Sequence, residues 1–328
     1  MHFALPPRKT SNPPPYTRPS KWSPTNAAHS LRKQRTLGVV IFCASLVAFF
    51  IFLRTVTPAS VAAANIPAGT PEVVIVTVID DKVSQAYLDR IKHNREDYAS
   101  QYGYKTFYAH QKDFDLGQAP KSWALLPAIR KAMTEYPHTT YFWALSPHAV
   151  IMNPTQSLVE RVMAPKKLES LMIKDQPVVP PDSVIHTFSH LKGHQIDFVI
   201  TQDAEGLCSE SMILRRGDWA NFFLDVWFDP LYRSYNFQKA ENHALEHIVQ
   251  WHPTILTRLA LIPIRTINAY TAQMSSRGGP ATTIMDDDFV ARAVGCEKDP
   301  TRNCEREMTP WFDTWKTKYD VKHSHGQF

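Results

Sequence analysis

From residue 73 to 145 the chain alternates short β-branched apolar runs with longer segments of helical period, and this alternation constrains the fold more than any other feature. Residues 73–80 (VVIVTVID) are apolar at successive positions, the pattern of a strand buried on both faces in a parallel sheet. Ser84 then offers a side-chain acceptor suited to an N-cap, which predicts a helix to about Gln101. Residues 105–109 read as the next strand, 124–135 as a helix bent at Pro127, and 141–145 as a third strand. Such alternation predicts an α/β layered sheet. Ligands in these sheets sit beyond the carboxyl ends of the strands, which is where Ser146-Pro147-His148 falls. Downstream, 217–227 and 240–252 have amphipathic helical period, while 259–264 and 288–294 read as late strands; there is no internal repeat.

The N-terminal part obeys different rules. Residues 37–53 carry no charge and end at Arg54; seventeen residues at about 1.5 Å each span roughly 25 Å, matching a thin bilayer of about 27 Å. Ahead of this run lie seven Lys or Arg and no Asp or Glu, so the positive-inside rule predicts a cytosolic tail (1–36), a transmembrane anchor (37–53), a Pro/Ala stem (54–71) and a luminal domain (72–328). The tail's Pro13-Pro14-Pro15 and its Ser, Thr and Asn content predict disorder. A cleaved signal peptide is the rival reading, disfavoured by the long tail and long apolar run. The net charge of +5 belongs to the tail: without its seven cations and Arg54, 28 basic face 31 acidic residues, which argues against nucleic acid as a partner. The spacing of Cys296 and Cys304 permits a small disulfide loop in an oxidising lumen, leaving Cys208 over.

Several ordered motifs run through the predicted luminal domain: Val73-Val74-Ile75-Val76-Thr77, Asn94-Arg95-Glu96-Asp97-Tyr98-Ala99 with Gly103-Tyr104, Ser122-Trp123-Ala124 with Leu126-Pro127-Ala128-Ile129-Arg130, Trp143 to Pro154, Gln202-Asp203 with Gly206-Leu207, Trp219 to Trp251, and Gly295-Cys296. Together they resemble glycosyltransferase family 34, the fungal Golgi galactosyl- and mannosyltransferases. The stretch from Asp229 to Glu241 is most similar to α-1,6-mannosyltransferase subunits of the fungal mannan polymerase complex. The resemblance implies a GT-A fold, a Rossmann-like mixed sheet flanked by helices. It also implies GDP-mannose as donor, Mn²⁺ as cofactor, an N-glycan mannan acceptor, other mannosyltransferase subunits as partners, and a type II Golgi membrane protein.

The same resemblance places Ser146 and His148 where the family carries the two acids of an Asp-x-Asp metal motif, and Arg292 where it carries a third ligand, a His. A serine, an imidazole and a fixed cation do not supply the anionic oxygens that Mn²⁺ prefers, so a degenerate metal site is expected. Arg292 could alternatively hold the donor diphosphate itself. Gln202 and Asp203 are expected beside the donor; Cys208 and Glu210 stand where the family has Asn and Gly, and Leu125 where it has Lys. Glu241 and Asn242 fall where the family has an acid followed by Gln, and are the candidates for orienting sugar hydroxyls.

Competing patterns read more simply. His243-Ala244-Leu245-Glu246-His247 matches a zinc-peptidase pattern with no supporting motif. Asp113-x-Asp115 and Asp286-x-Asp288 are short chance matches, expected in a surface loop and a solvated turn; His186, His190 and His194 read as surface histidines. Two functional classes therefore stand: a hexosyltransferase, and a noncatalytic subunit that supports catalytic partners.

Overall fold

The computed structural model describes residues 39, 41–49, 66–179, 183–235, 237–272 and 274–320. The chain divides into two compact units, 1–66 and 67–328. In the first, residues 41–49 are helical with exposed side chains. Among the described residues no helix is long and apolar enough to cross a membrane. The expected tail, the remainder of the 37–53 span and stem residues 54–65 lie outside the described residues.

The second unit is built around β1 (Val73–Ile79), which pairs in parallel with β2 (Lys105–His110) on one side and β3 (Tyr141–Leu145) on the other. The crossover from β1 to β2 is α1 (Gln85–Tyr102). Its first turn is closed by the Ser84 hydroxyl, which accepts from the Tyr87 N–H at 3.2 Å; Gly103 ends it at φ 66°, a left-handed conformation that glycine adopts without a Cβ clash. The second crossover carries α2 (Leu125–Glu135), preceded by a 3₁₀ turn at Lys121–Ala124. The expected bend at Pro127 is not needed: the helix begins at Leu125, so Pro127 lies in the first turn, where an N–H would have no intrahelical acceptor.

Beyond β3 the sheet turns antiparallel through β6 (Gly206–Arg215) and β5 (Phe198–Asp203), then ends with β7 (Leu259–Ile262) parallel to β5, in the order β2-β1-β3-β6-β5-β7. A small second sheet joins β4 (Ala149–Ile151), β9 (Val290–Arg292) and β8 (Ala269–Tyr270) in the order β4-β9-β8. Both late strands are shorter than expected. Pro263 follows β7 and has no N–H to extend a ladder, and β9 pairs with a partner only three residues long. The remaining helices are α3 (Pro165–Leu171), α4 (Asp218–Trp227), α5 (Pro230–Ser234), α6 (Ala240–Trp251), α7 (Pro253–Leu256) and α8 (Cys304–Trp315).

The two-residue period of the strands sorts the core onto both faces of the large sheet. Val74, Val76, Phe142 and Ala144 pack with the inner faces of α2, α4 and α6, whereas Val73, Ile75, Tyr141 and Trp143 pack with α1. Trp227 is fully buried in the first cluster, and its indole N–H donates to the Glu241 carbonyl at 2.8 Å. The core thereby fixes where α6 presents its first turn.

Candidate functional site

The turn after β3 is held by two buried polar residues of α1. Arg95 donates to the carbonyls of Ser146 (2.7 Å) and Ala149 (2.9 Å) and to the Thr77 hydroxyl (3.2 Å), while the Asn94 amide brackets Ile151, donating to its carbonyl (3.0 Å) and accepting from its N–H (2.9 Å). Burial pulls the Arg95 pKa down to about 10, which still leaves it charged at neutral pH. Sequence reasoning quoted these two residues only within a motif. Their signal was available: Ile91, Asn94, Arg95 and Tyr98 follow the i, i+3, i+4, i+7 stripe that a helix buries, so two polar groups on it needed partners.

Beyond the carboxyl ends of β1 and β3 lies a cavity of about 530 Å³. Asp80 bounds it after β1, Ser146, Pro147 and His148 after β3, and Ser209 and Glu210 from β6. Ser122 and Leu125 contribute from the start of α2, Phe237 to Asn242 from the approach to α6, and Glu297 with Lys298 from the segment before α8. Glu241 is buried and accepts a short hydrogen bond from the Ser122 hydroxyl. Burial outweighs that bond and pushes the carboxyl pKa up to about 7. Next to it, the buried Asn242 Oδ1 has no hydrogen-bond partner within the protein. A carboxyl that titrates near neutrality, on a residue lining the cavity, suits the hydroxyls of a small polar ligand.

The structure therefore brings Ser146, His148, Glu241 and Asn242 to one cavity, and Arg292, Gln202 and Asp203 elsewhere. Arg292 lies behind the lining, 1% exposed, paired through Nη1 with Glu210 Oε1 at 3.2 Å and stacked on Tyr270 with 5.2 Å to the ring centroid. Burial acts against the Glu210 charge, but Arg292 outweighs it and holds that carboxyl below the usual range. Gln202 is spent on backbone, accepting from the Val179 N–H (2.8 Å) and donating to the Pro177 carbonyl (3.0 Å). Asp203 accepts from the Glu205 and Gly206 N–H groups, the Tyr270 hydroxyl (2.7 Å) and Arg277 (2.7 Å), so it braces the β5–β6 turn. Ser122 was not singled out from sequence, because a serine ahead of a helix reads first as a cap.

The donor set at the end of β3 does not fit Mn²⁺. The Ser146 hydroxyl oxygen accepts from the His148 N–H at 3.2 Å, and His148 Nδ1 lies 3.4 Å from the Tyr87 hydroxyl, with burial lowering the imidazole pKa. Among the described residues, the one group of three potential ligands close enough to share an ion is His148, Cys296 and Cys304. Those sulfurs are joined to each other in a disulfide, so neither is a thiolate. Among the described residues, no three carboxylates lining the cavity come close enough to share an ion.

The other sequence patterns settle into structural roles. His243 and His247 lie exposed on the outer side of α6, while Glu246 is buried and accepts from the Leu207 N–H at 3.2 Å; the three do not share a face. Asp288 departs from the expected solvated turn, because Arg265 grips its carboxylate twice, at 2.8 and 2.9 Å. Asp113 and Asp115 are exposed, as are His186, His190 and His194.

A mixed sheet with a cavity at its carboxyl edge defines a ligand-binding α/β fold. The solved structure of a glycosyltransferase involved in glycosylation of the major capsid of PBCV-1 superposes with a TM-score of 0.50 at 11% identity, covering 74% of this chain and 98% of that one. The sequence profile of the galactosyl transferase GMA12/MNN10 family, glycosyltransferase family 34, matches residues 69–305, and the chain belongs to that family. Similar proteins include an uncharacterized alpha-1,2-galactosyltransferase of Schizosaccharomyces pombe, 31% identical over 66% of this chain and 66% of that protein. In Saccharomyces cerevisiae they include the probable alpha-1,6-mannosyltransferases MNN10 (27% identical, 70% of this chain, 60% of that one) and MNN11 (28%, 73% and 60%). The matched region thus spans slightly under two thirds of these relatives' length.

Proposed function

We propose that this chain is a Golgi subunit of an α-1,6-mannosyltransferase assembly that extends mannan on N-glycans, anchored through residues 37–53 with its family domain in the lumen. In this reading its own metal-assisted donor activation is lost. One observation supports the reading: the cavity beyond β3 is lined by Ser146, His148, Glu241 and Asn242, while Arg292, at the family's third-ligand position, is withdrawn from it into an ion pair with Glu210. Glu241, titrating near neutrality, can take a proton from a sugar hydroxyl while Ser122 holds the carboxylate in place. GDP-mannose is the expected donor for the assembly. The mannosyl assignment rests on the 229–241 stretch and on the mannosyltransferase relatives.

The test uses the full chain purified in detergent, alone and together with its co-purifying partners. Alone it should transfer little mannose from GDP-mannose to α-1,6-linked mannotetraose and give no saturable Mn²⁺ binding heat. Mn²⁺-dependent transfer by the isolated chain, with metal affinity lost on His148→Ala, would overturn the proposal. A second reading, an active hexosyltransferase using another sugar, is favoured by the 31% identity to an alpha-1,2-galactosyltransferase and predicts turnover of UDP-galactose in the same assay. Protease added to sealed vesicles should trim only the first few dozen residues; a secreted form starting near residues 59–65 would disprove the anchor.

A further inference from the structure

Exposed aromatic rings adjoin the cavity at Phe237. Phe237, in its lining, contacts His243 with ring centroids 4.9 Å apart and Tyr235 at 5.3 Å. One turn further along α6, His247 lies 5.7 Å from Tyr232 and 6.1 Å from Trp251. His243, His247 and Trp251 recur every four residues on one helix face, and all three are exposed, Trp251 to 69%. From His243 to Trp251 the helix rises roughly 12 Å. Rings standing in solvent lose apolar stabilisation that burial would provide, so two such groups along one helix face mark a surface made to be covered.

We propose that this row is a stacking track for an extended oligosaccharide acceptor whose growing end enters the cavity. The inference rests on the glycosyltransferase reading above and deepens it. A pyranose has one apolar C–H face and a rim of hydroxyls, so it lies flat on an aromatic ring while its rim finds donors and acceptors. The track offers both parts: exposed rings at His247 and Trp251, and polar groups at the Tyr232 and Tyr235 hydroxyls and the imidazole nitrogens. Partial burial and the neighbouring His252 and His243 lower the His247 pKa, which favours an uncharged ring at neutral pH and a neutral ligand over an anionic one. The row leads from the solvent end of α6 through His243 to Phe237, which lines the cavity, the order a chain extended at its tip requires.

The experiment titrates the full chain in detergent with α-1,6-linked mannotetraose, with free mannose and with GDP-mannose, for the wild type, Trp251→Ala, Trp251→Phe and His247→Ala. Losing one stacking ring should weaken the tetrasaccharide about three- to tenfold. Trp251→Phe should recover most of that loss, and binding of free mannose and GDP-mannose should not change. Melting temperatures should match, since both replaced side chains are exposed. Equal tetrasaccharide affinity in wild type and Trp251→Ala would overturn the track, as would loss of a co-purifying protein with carbohydrate binding intact, which would mark a protein-docking face. Trp251-dependent binding of an α-1,2-galactosyl oligosaccharide in place of the mannoside would uphold the track and refute the mannosyl assignment.

Discussion

Replacing Glu241 by Gln should stabilise this protein at alkaline pH and leave its stability unchanged at acid pH. Burial pushes the carboxyl pKa in the folded chain up to about 7, against 4.5 in the unfolded chain, so folding favours the protonated form. At about 1.4 kcal/mol per unit this amounts to roughly 3 kcal/mol. The sign follows from the direction of the shift. Below pH 4.5 the carboxyl is neutral in both states and imposes no penalty; as pH rises through 7 the folded protein must ionise a buried group, and the stability present at low pH is lost. Glutamine keeps the shape and an oxygen for the Ser122 hydroxyl, but never ionises. At about 2 °C per kcal/mol for a domain of this size, the variant should melt about 6 °C above the wild type at pH 8 and together with it at pH 4. Thermal melts across that range, followed by circular dichroism, provide the assay. A constant difference between pH 4 and pH 8, or none anywhere, would refute the burial argument. The same variant should lose whatever sugar chemistry needs a proton acceptor, so added stability is expected with reduced function.

Arg292→Met should destabilise the fold by about 3 kcal/mol by leaving the Glu210 carboxylate without its counter-charge, and Glu210→Gln added to it should recover much of that loss in urea titrations. Arg95→Lys, which cannot span Thr77, Ser146 and Ala149 together, should cost about 2 kcal/mol and raise hydrogen exchange at residues 146–151. At Gly206, φ is 138° and an added Cβ would meet Glu246 Oε1 at 1.9 Å, so Gly206→Ala should lower the urea midpoint by an amount equivalent to about 2 kcal/mol or more. Trp227→Ala should cost about 3–5 kcal/mol and also release the Glu241 carbonyl, so its loss of function reports on the site as well as on the core.

The local and periodic features were legible in the sequence. The β-branched run 73–79 could be buried on both faces only as an inner strand, Ser84 marked the start of α1, and the position of Ser146-Pro147-His148 past β3 followed from strand order. Residue type alone also excluded an anionic ligand pair at Ser146 and His148, because no fold can supply charge that the side chains lack. Other outcomes depended on contacts between residues far apart in the chain, which periodicity does not encode. Arg292 could have served the donor, yet tertiary packing set it against Glu210, 82 positions earlier, and sealed it behind the cavity. Asp203 and Gln202, polar residues at a strand end, were drawn into bracing Arg277, Tyr270 and the 177–179 backbone. Glu241 and Ser122, 119 residues apart, acquired their shared proton environment only when α6 packed across the start of α2, since burial rather than residue identity moves that carboxyl to neutrality.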